Sequence, residues 1–388
     1  MLREQGATDR KSEGTSRLAA LDGFRGWIMV LMAVDHARYF IGRRFPAEIW
    51  GTPLFHYDDA VSFLTRWVTH ICAPGFFFLM GTGMVYFHAA RRRINWSEAK
   101  IFRHLVLRGL LLVALQLAVE NPAWTLRGIS TSASLPAAGG TFLIYAGVLY
   151  GLGTVMILCS ALLRVKDAHL IAVSLLTILA TQLFPLLFSS PNLLDSTILV
   201  LLFLPGRCGR LLAYYPPVAW AGLSILGMIF GRELLRDQGR TLKRALSASA
   251  ICLVLFILVR TWGGFGNIHP PAALSWMGYL HVTKYPPSLA FILLTMGLNF
   301  LCIFALSRSE RMLQNWGGFL LVFGRTALFF YLVHLYVYAL LGAAIGINRS
   351  TSVVYASWVL GLLLLYPVCK GYARFKAHTA PDSIWRFF

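Results

Sequence analysis

The stretch Leu21-Asp-Gly-Phe-Arg-Gly-Trp-Ile-Met-Val-Leu-Met-Ala-Val-Asp-His-Ala-Arg38 decides the fold. It is an apolar run of membrane-spanning character, with Arg25 about one turn from its start and an Asp35-His36 pair most of the way along. A helix rises 1.5 Å per residue, so Arg25 and His36 stand roughly 16 Å apart along the axis. That is about the reach of an extended phosphopantetheine arm. Ionisable residues inside a membrane segment are costly and mark functional positions by default.

The rest of the chain agrees with a membrane reading. Its 388 residues are 57% hydrophobic, 14% aromatic and only 13% charged, and the mean hydropathy is +0.65. Soluble domains are about a quarter charged. A span needs about 20 mostly apolar residues. By that criterion the fold expected is all-α, a polytopic transmembrane bundle of about ten helices. The runs are 20–42, 68–90, 104–120, 141–163, 168–188, 216–234, 245–262, 286–306, 318–344 and 352–370. Residues 193–204 are apolar but too short to span, and read as a re-entrant or interfacial segment.

The net charge of +19 does not point to nucleic acid. The basic residues sit in short loops and tails, as at Arg91-Arg-Arg93, Arg164-Val-Lys166 and Arg232 to Arg244. With ten spans these loops and both termini share one side, the cytoplasmic side under the positive-inside rule, and membrane lipids are the expected partner. The chain then divides into a basic tail over 1–17, a transmembrane domain over 18–370 and a second basic tail over 371–388. No signal-peptide apolar region precedes the first run, so it stays as a span. The six cysteines show no paired spacing, and neither a disulfide framework nor a metal site is expected.

Chemistry concentrates at a few points. Arg25 is either a snorkelling arginine or a phosphate clamp, since a guanidinium binds phosphate bidentately. Asp22 is its helical neighbour. Asp35 and Arg38, three apart, can pair. His36 is either a core histidine or a general base that titrates near neutrality. Neighbouring helical residues point about 100° apart, so Asp35 and His36 are not expected to face one small pocket squarely. In the second run, Arg66 and His70 enter before Pro74 and Gly81-Thr-Gly83. Packing explains the proline and glycines but not the two cationic side chains. Tyr214-Tyr-Pro-Pro217 and Lys284-Tyr-Pro-Pro287 both lead into apolar helices. Phe323-Gly-Arg325 through His334 repeats the arginine-then-histidine order of the first run.

These motifs, taken in order from Leu21-Asp-Gly-Phe-Arg-Gly to His334, resemble the transmembrane acyltransferase superfamily. Within it they resemble bacterial relatives of heparan-α-glucosaminide N-acetyltransferase. The resemblance implies acetyl-CoA or another acyl-CoA as donor, and a carbohydrate or lipid-linked acceptor at the far face of a bacterial inner membrane. A homodimer is compatible with it. It implies His36 as catalytic base, and His56, in the loop before the second helix, as the rival base; Asp35 is expected to orient or charge-balance His36. Arg25 and Arg325 are then expected on CoA, with Lys284 either near the thioester carbonyl or an interfacial anchor. Arg66 and His70 are expected on the acceptor side. The alternative is a secondary transporter, which also uses membrane-depth ionisable residues and broken helices.

Overall fold

The computed structural model describes residues 2–43, 48–126, 144–188, 196–271, 275–315, 317–380, 383 and 385, apart from the side chains of 2–18, Thr125 and Glu310. It is a helix bundle around one continuous apolar core. Among the described residues, eight helices are long and apolar enough to cross a membrane, from Ala60–Arg93 to Thr351–His378. Two further helices occupy expected spans. The first, Leu2–Ala37, carries Asp22, Arg25 and Asp35, and Val148–Ala161 is only 14 residues long.

Several expected spans are interrupted, each with a local reason. The run 318–344 divides into Gly318–Arg325 and Ala327–Ile345, because Thr326 leaves helical geometry. The second span starts at Ala60, capped by Asp59, and tightens to a 3₁₀ turn at Thr69–Ile71 before Cys72–Arg93. The first helix widens into a π turn at Arg38–Gly42. The helix from Glu98 does the same at Gln116–Glu120. Single π turns inside helices are frequent at functional sites.

The apolar segment 193–204 does not span. Its described part holds a six-residue helix, Thr197–Leu202. A hairpin follows, with β2 (Gly206–Cys208) antiparallel to β3 (Leu211–Ala213), and β3 pairs in parallel with β1 (Ile144–Ala146). Three-residue strands are too short to show the alternation that marks a strand in sequence. Residues 189–195 and the part of 121–140 after Leu126 lie outside the described residues. The basic segment after Lys370 continues the last helix as far as His378.

Two close crossings hold the centre. A Cβ on Gly26 would strike the backbone of Leu320, and one on Gly324 would strike that of Asp22. The first helix and Gly318–Arg325 therefore touch backbone to backbone, which brings Arg25 and Arg325 to the same place. Gly81 similarly meets Ser224 across the helix Pro217–Arg236, whereas Gly83, two residues on, faces open space.

Candidate active site

His36 sits on the last turn of the first helix, and its Nδ1 lies 2.5 Å from His334 Nε2. The second nitrogen of His334, Nδ1, is 3.0 Å from the Phe330 carbonyl oxygen. A carbonyl only accepts, so His334 Nδ1 carries a hydrogen. With both rings neutral, His334 Nε2 is then an acceptor and His36 Nδ1 must donate to it. His36 Nε2 is left with a free lone pair. The Trp124 indole stands edge-on to the His36 ring at 5.3 Å.

Behind His36 lies a buried ion network. Arg66 is 1% exposed and donates from Nη1 to Asp35 at 2.5 Å, and from Nε and Nη2 to the two oxygens of Glu48 at 2.9 and 2.7 Å. The Thr69 hydroxyl donates to Asp35 at 2.7 Å. His70 donates from Nδ1 to the Arg66 carbonyl at 2.8 Å. Burial alone would raise the Glu48 carboxyl, but the Arg66 guanidinium overrides it and holds Glu48 below the usual carboxylate range. Glu48 also ties in the loop before the helix Leu289–Arg308, because its carbonyl accepts from the backbone N–H groups of Lys284 and Tyr285 at 3.0 and 2.9 Å.

Asp35, His36, Thr69, Lys284 and Tyr285 share a chamber of about 50 Å³ with Glu120, Trp124 and Tyr331. The two Tyr-Pro-Pro segments meet at its wall, where the Tyr215 and Tyr285 hydroxyls are 2.9 Å apart. Glu120 Oε1 accepts from Trp124 Nε1 at 3.1 Å. A second cavity, of about 310 Å³, runs from this region to the other end of the bundle. Phe76 and Tyr331 line both. Its far end carries Arg25, Arg108, Arg325 and Lys376, and its walls are apolar, including Met29, Met80, Met84 and Met156. Arg25 is held by Asp22 at 3.0 Å and by the Gly324 carbonyl at 3.3 Å, and Arg325 reaches the same Asp22 at 3.4 Å.

The expected site residues are thus distributed as follows. Asp35, His36 and Lys284 reach the chamber, and Arg25 and Arg325 reach the basic mouth. Asp35 and His36 do line one small pocket, contrary to the helical-angle expectation, but Asp35 directs its Oδ2 to Arg66 and Thr69. Asp35 does not pair with Arg38. Arg66 outcompetes it, because its fork reaches Asp35 and Glu48 together. Arg66 and His70 do not line the chamber; they brace Asp35 and Glu48 from behind. His56 is exposed in its loop and lines neither cavity.

Sequence reasoning missed Glu120, Tyr331, Arg108 and Lys376, and left His334 without a role. The repeat of Arg25 and His36 in Arg325 and His334 was the available signal. The two arginines meet on Asp22 and the two histidines on each other. Glu120 lies in a run read only for hydropathy, and Arg108 counts there only toward the basic loop charge.

The model of the heparan-alpha-glucosaminide N-acetyltransferase catalytic domain matches residues 17–261, more than half of the chain. The matched region holds His36, the Asp35–Arg66–Glu48 network and Arg25. Lys284, Arg325 and His334 lie beyond its end. A search among curated proteins finds no match. The chain belongs to the heparan-alpha-glucosaminide N-acetyltransferase catalytic family, whose chemistry is acetyl transfer.

Proposed function

We propose that this family member takes an acetyl group from acetyl-CoA held in the 310 Å³ cavity and passes it to a sugar or glycolipid acceptor at the His36 end. The observation that carries this reading is the junction of the two cavities at Phe76 and Tyr331. It joins a cationic mouth to a chamber containing a histidine with a free lone pair. Phosphates suit the mouth because Arg25, Arg108, Arg325 and Lys376 converge there, and guanidinium forks favour phosphate oxygens. The methionine-rich walls suit an apolar arm and a thioester.

In the chamber, His36 Nε2 removes a proton from the acceptor amine or hydroxyl. The acceptor atom attacks the thioester carbonyl carbon, and the carbonyl oxygen gains the negative charge. Lys284, 5% exposed and on the chamber wall, supplies positive charge to that oxygen. The C–S bond then breaks, the acetyl group stays on the acceptor, and the His36 proton goes to the departing sulfur. His334 fixes the His36 tautomer throughout, as an orienting group does in a catalytic triad.

The basic loops support a topology with both termini, the Arg25 mouth and its CoA on the cytoplasmic side of a bacterial inner membrane, and the acceptor on the opposite side. Thermal unfolding of the purified protein with and without CoA tests the donor assignment. CoA should raise the melting temperature, as any ligand of the native state does. The absence of a shift at saturating CoA would remove the enzyme reading and leave transport of a solute as the alternative.

A further inference from the structure

Two residues beyond His36, Arg38 opens the π turn and is 7% exposed. Its Nη1 is fully buried and has no hydrogen-bond partner among the described residues. An unpaired buried guanidinium is expensive, and such groups are normally paired or bound to an anion. Arg38 lines a small cleft of about 20 Å³ between the π turn, the second span and the start of the last helix. The other polar groups on its wall are Arg349, Thr351, Ser62, Thr65 and Tyr355, and no Asp or Glu among the described residues lines it. The Thr65 and Tyr355 hydroxyls bond each other. Arg349 is exposed and turns its guanidinium onto the Ile345 carbonyl, with Nε at 2.9 Å. Thr351 begins a 28-residue helix whose N-cap, Ser350, makes no side-chain capping bond. Thr351 lines the cleft, so the N-terminal end of that helix, with its positive dipole end, lies at the cleft wall.

We infer that this cleft binds a phosphate group, with one oxygen reaching Arg38 and the remainder at the mouth between Arg349 and Thr351. The volume decides the depth of entry. About 20 Å³ admits one water-sized atom and not a whole phosphate. Two guanidinium groups, a free helix N-terminus and no carboxylate select a multiply charged oxyanion. The cleft sits at the end of the first span, where lipid headgroups lie, so the phosphate belongs either to an anionic lipid or to a soluble ligand. The site stands whether or not the chain transfers acetyl groups.

Thermal unfolding of the full chain tests it in two arms. In detergent, inorganic phosphate is compared with chloride at equal ionic strength. In lipid nanodiscs, phosphatidylglycerol is compared with phosphatidylcholine. A rise of roughly 2–4 °C in either arm is expected for the unmodified chain, and it should vanish in Arg38→Met. A rise with inorganic phosphate assigns a soluble source, and a rise only with phosphatidylglycerol assigns the headgroup. Without anion, Arg38→Met should melt no lower than the unmodified chain, since it removes an uncompensated charge. If Arg38→Met does not fold, the exposed Arg349→Gln decides, and it should reduce the rise at least twofold. No rise in either arm overturns the site. A rise of equal size in Arg38→Met, or in Arg349→Gln where that variant decides, also overturns it and places the anion elsewhere, such as the Arg25 mouth.

Discussion

His36 Nδ1 and His334 Nε2 lie 2.5 Å apart, joining the end of the first helix to the middle of Ala327–Ile345. Nearer the start of the first helix, Arg25 shares Asp22 with Arg325, the last residue of the preceding helix Gly318–Arg325. The first helix and the run 318–344 thus lie side by side with their arginines at one end and their histidines at the other. The first helix and the two helices of the run 318–344 set both the base and the proposed donor clamp. Backbone contact at Gly26 and Gly324 fixes their relative height.

The orienting role of His334 predicts a graded loss. His334→Ala leaves His36 Nδ1 without its acceptor, so the Nε2 lone pair is no longer enforced. Turnover should fall by roughly 10-fold or more while acetyl-CoA affinity holds, since general-base catalysis as a whole is worth about 10²–10⁴-fold. His334→Gln keeps a side-chain acceptor and should recover part of the loss. Steady-state kinetics on both variants checks this, with kcat and KM read separately.

The donor cavity predicts that filling it blocks binding without harming the fold. Gly83 lines the 310 Å³ cavity, and a Cβ there meets nothing within 4 Å. Gly83→Leu should weaken CoA binding at least about 10-fold, equivalent to about 1.4 kcal/mol. The melting temperature without ligand should stay within a few degrees, in contrast to Gly81→Leu, which drives a side chain into the Ser224 backbone. Isothermal titration and thermal unfolding separate the two effects.

The mouth predicts unequal arginines. Arg25 has a side chain 29% exposed and bonds Asp22 and Gly324, whereas Arg325 is 60% exposed. Arg25→Ala should cost about 1.5–3 kcal/mol of acyl-CoA affinity, the usual worth of a hydrogen bond to a charged group. Arg325→Ala should cost less. Both losses should shrink as salt rises, because exposed charges are screened.

The network behind His36 predicts a large stability effect and an acid limb. Arg66→Ala strands two buried carboxylates, Asp35 and Glu48, and should destabilise by about 3–5 kcal/mol. Arg66→Lys lacks the fork and should restore only part. Glu48 has its folded value below the unfolded one. Its stabilisation is therefore complete above the ordinary carboxylate value, about 4.3, and disappears as pH falls through the folded value. Melting curves across acid pH should show a steep fall that Glu48→Gln flattens.

The helical class was legible because hydropathy runs of spanning length need no tertiary information. The Arg25 mouth was legible for a similar reason, since a charge in an apolar run stands out. Partner choice was not. Asp35 has Arg38 at helical spacing, yet Arg66, 31 residues on, takes it through a geometry that only the packed bundle creates. Glu48 lies between hydropathy runs, in the segment Phe45-Pro-Ala-Glu-Ile-Trp50, and a lone carboxylate there gave no sign of its partner, although it is 0% exposed. Glu120 closes a π turn that shifts the helical register, and Trp124 follows it, so a 3.6-residue wheel misplaces both. The strands of the small sheet carry three residues each, below the length at which a pattern repeats.

The most direct measurement is acetyl transfer from labelled acetyl-CoA by the purified protein in nanodiscs, comparing His36→Ala with His56→Ala. His36 lines the chamber and carries the free Nε2, whereas His56 is exposed and lines neither cavity. His36→Ala should lose about 100-fold or more in transfer with CoA binding retained, and His56→Ala should lose far less. An active His36→Ala beside an inactive His56→Ala would contradict the account, place the base in the loop, and reduce the His36–His334 contact to packing.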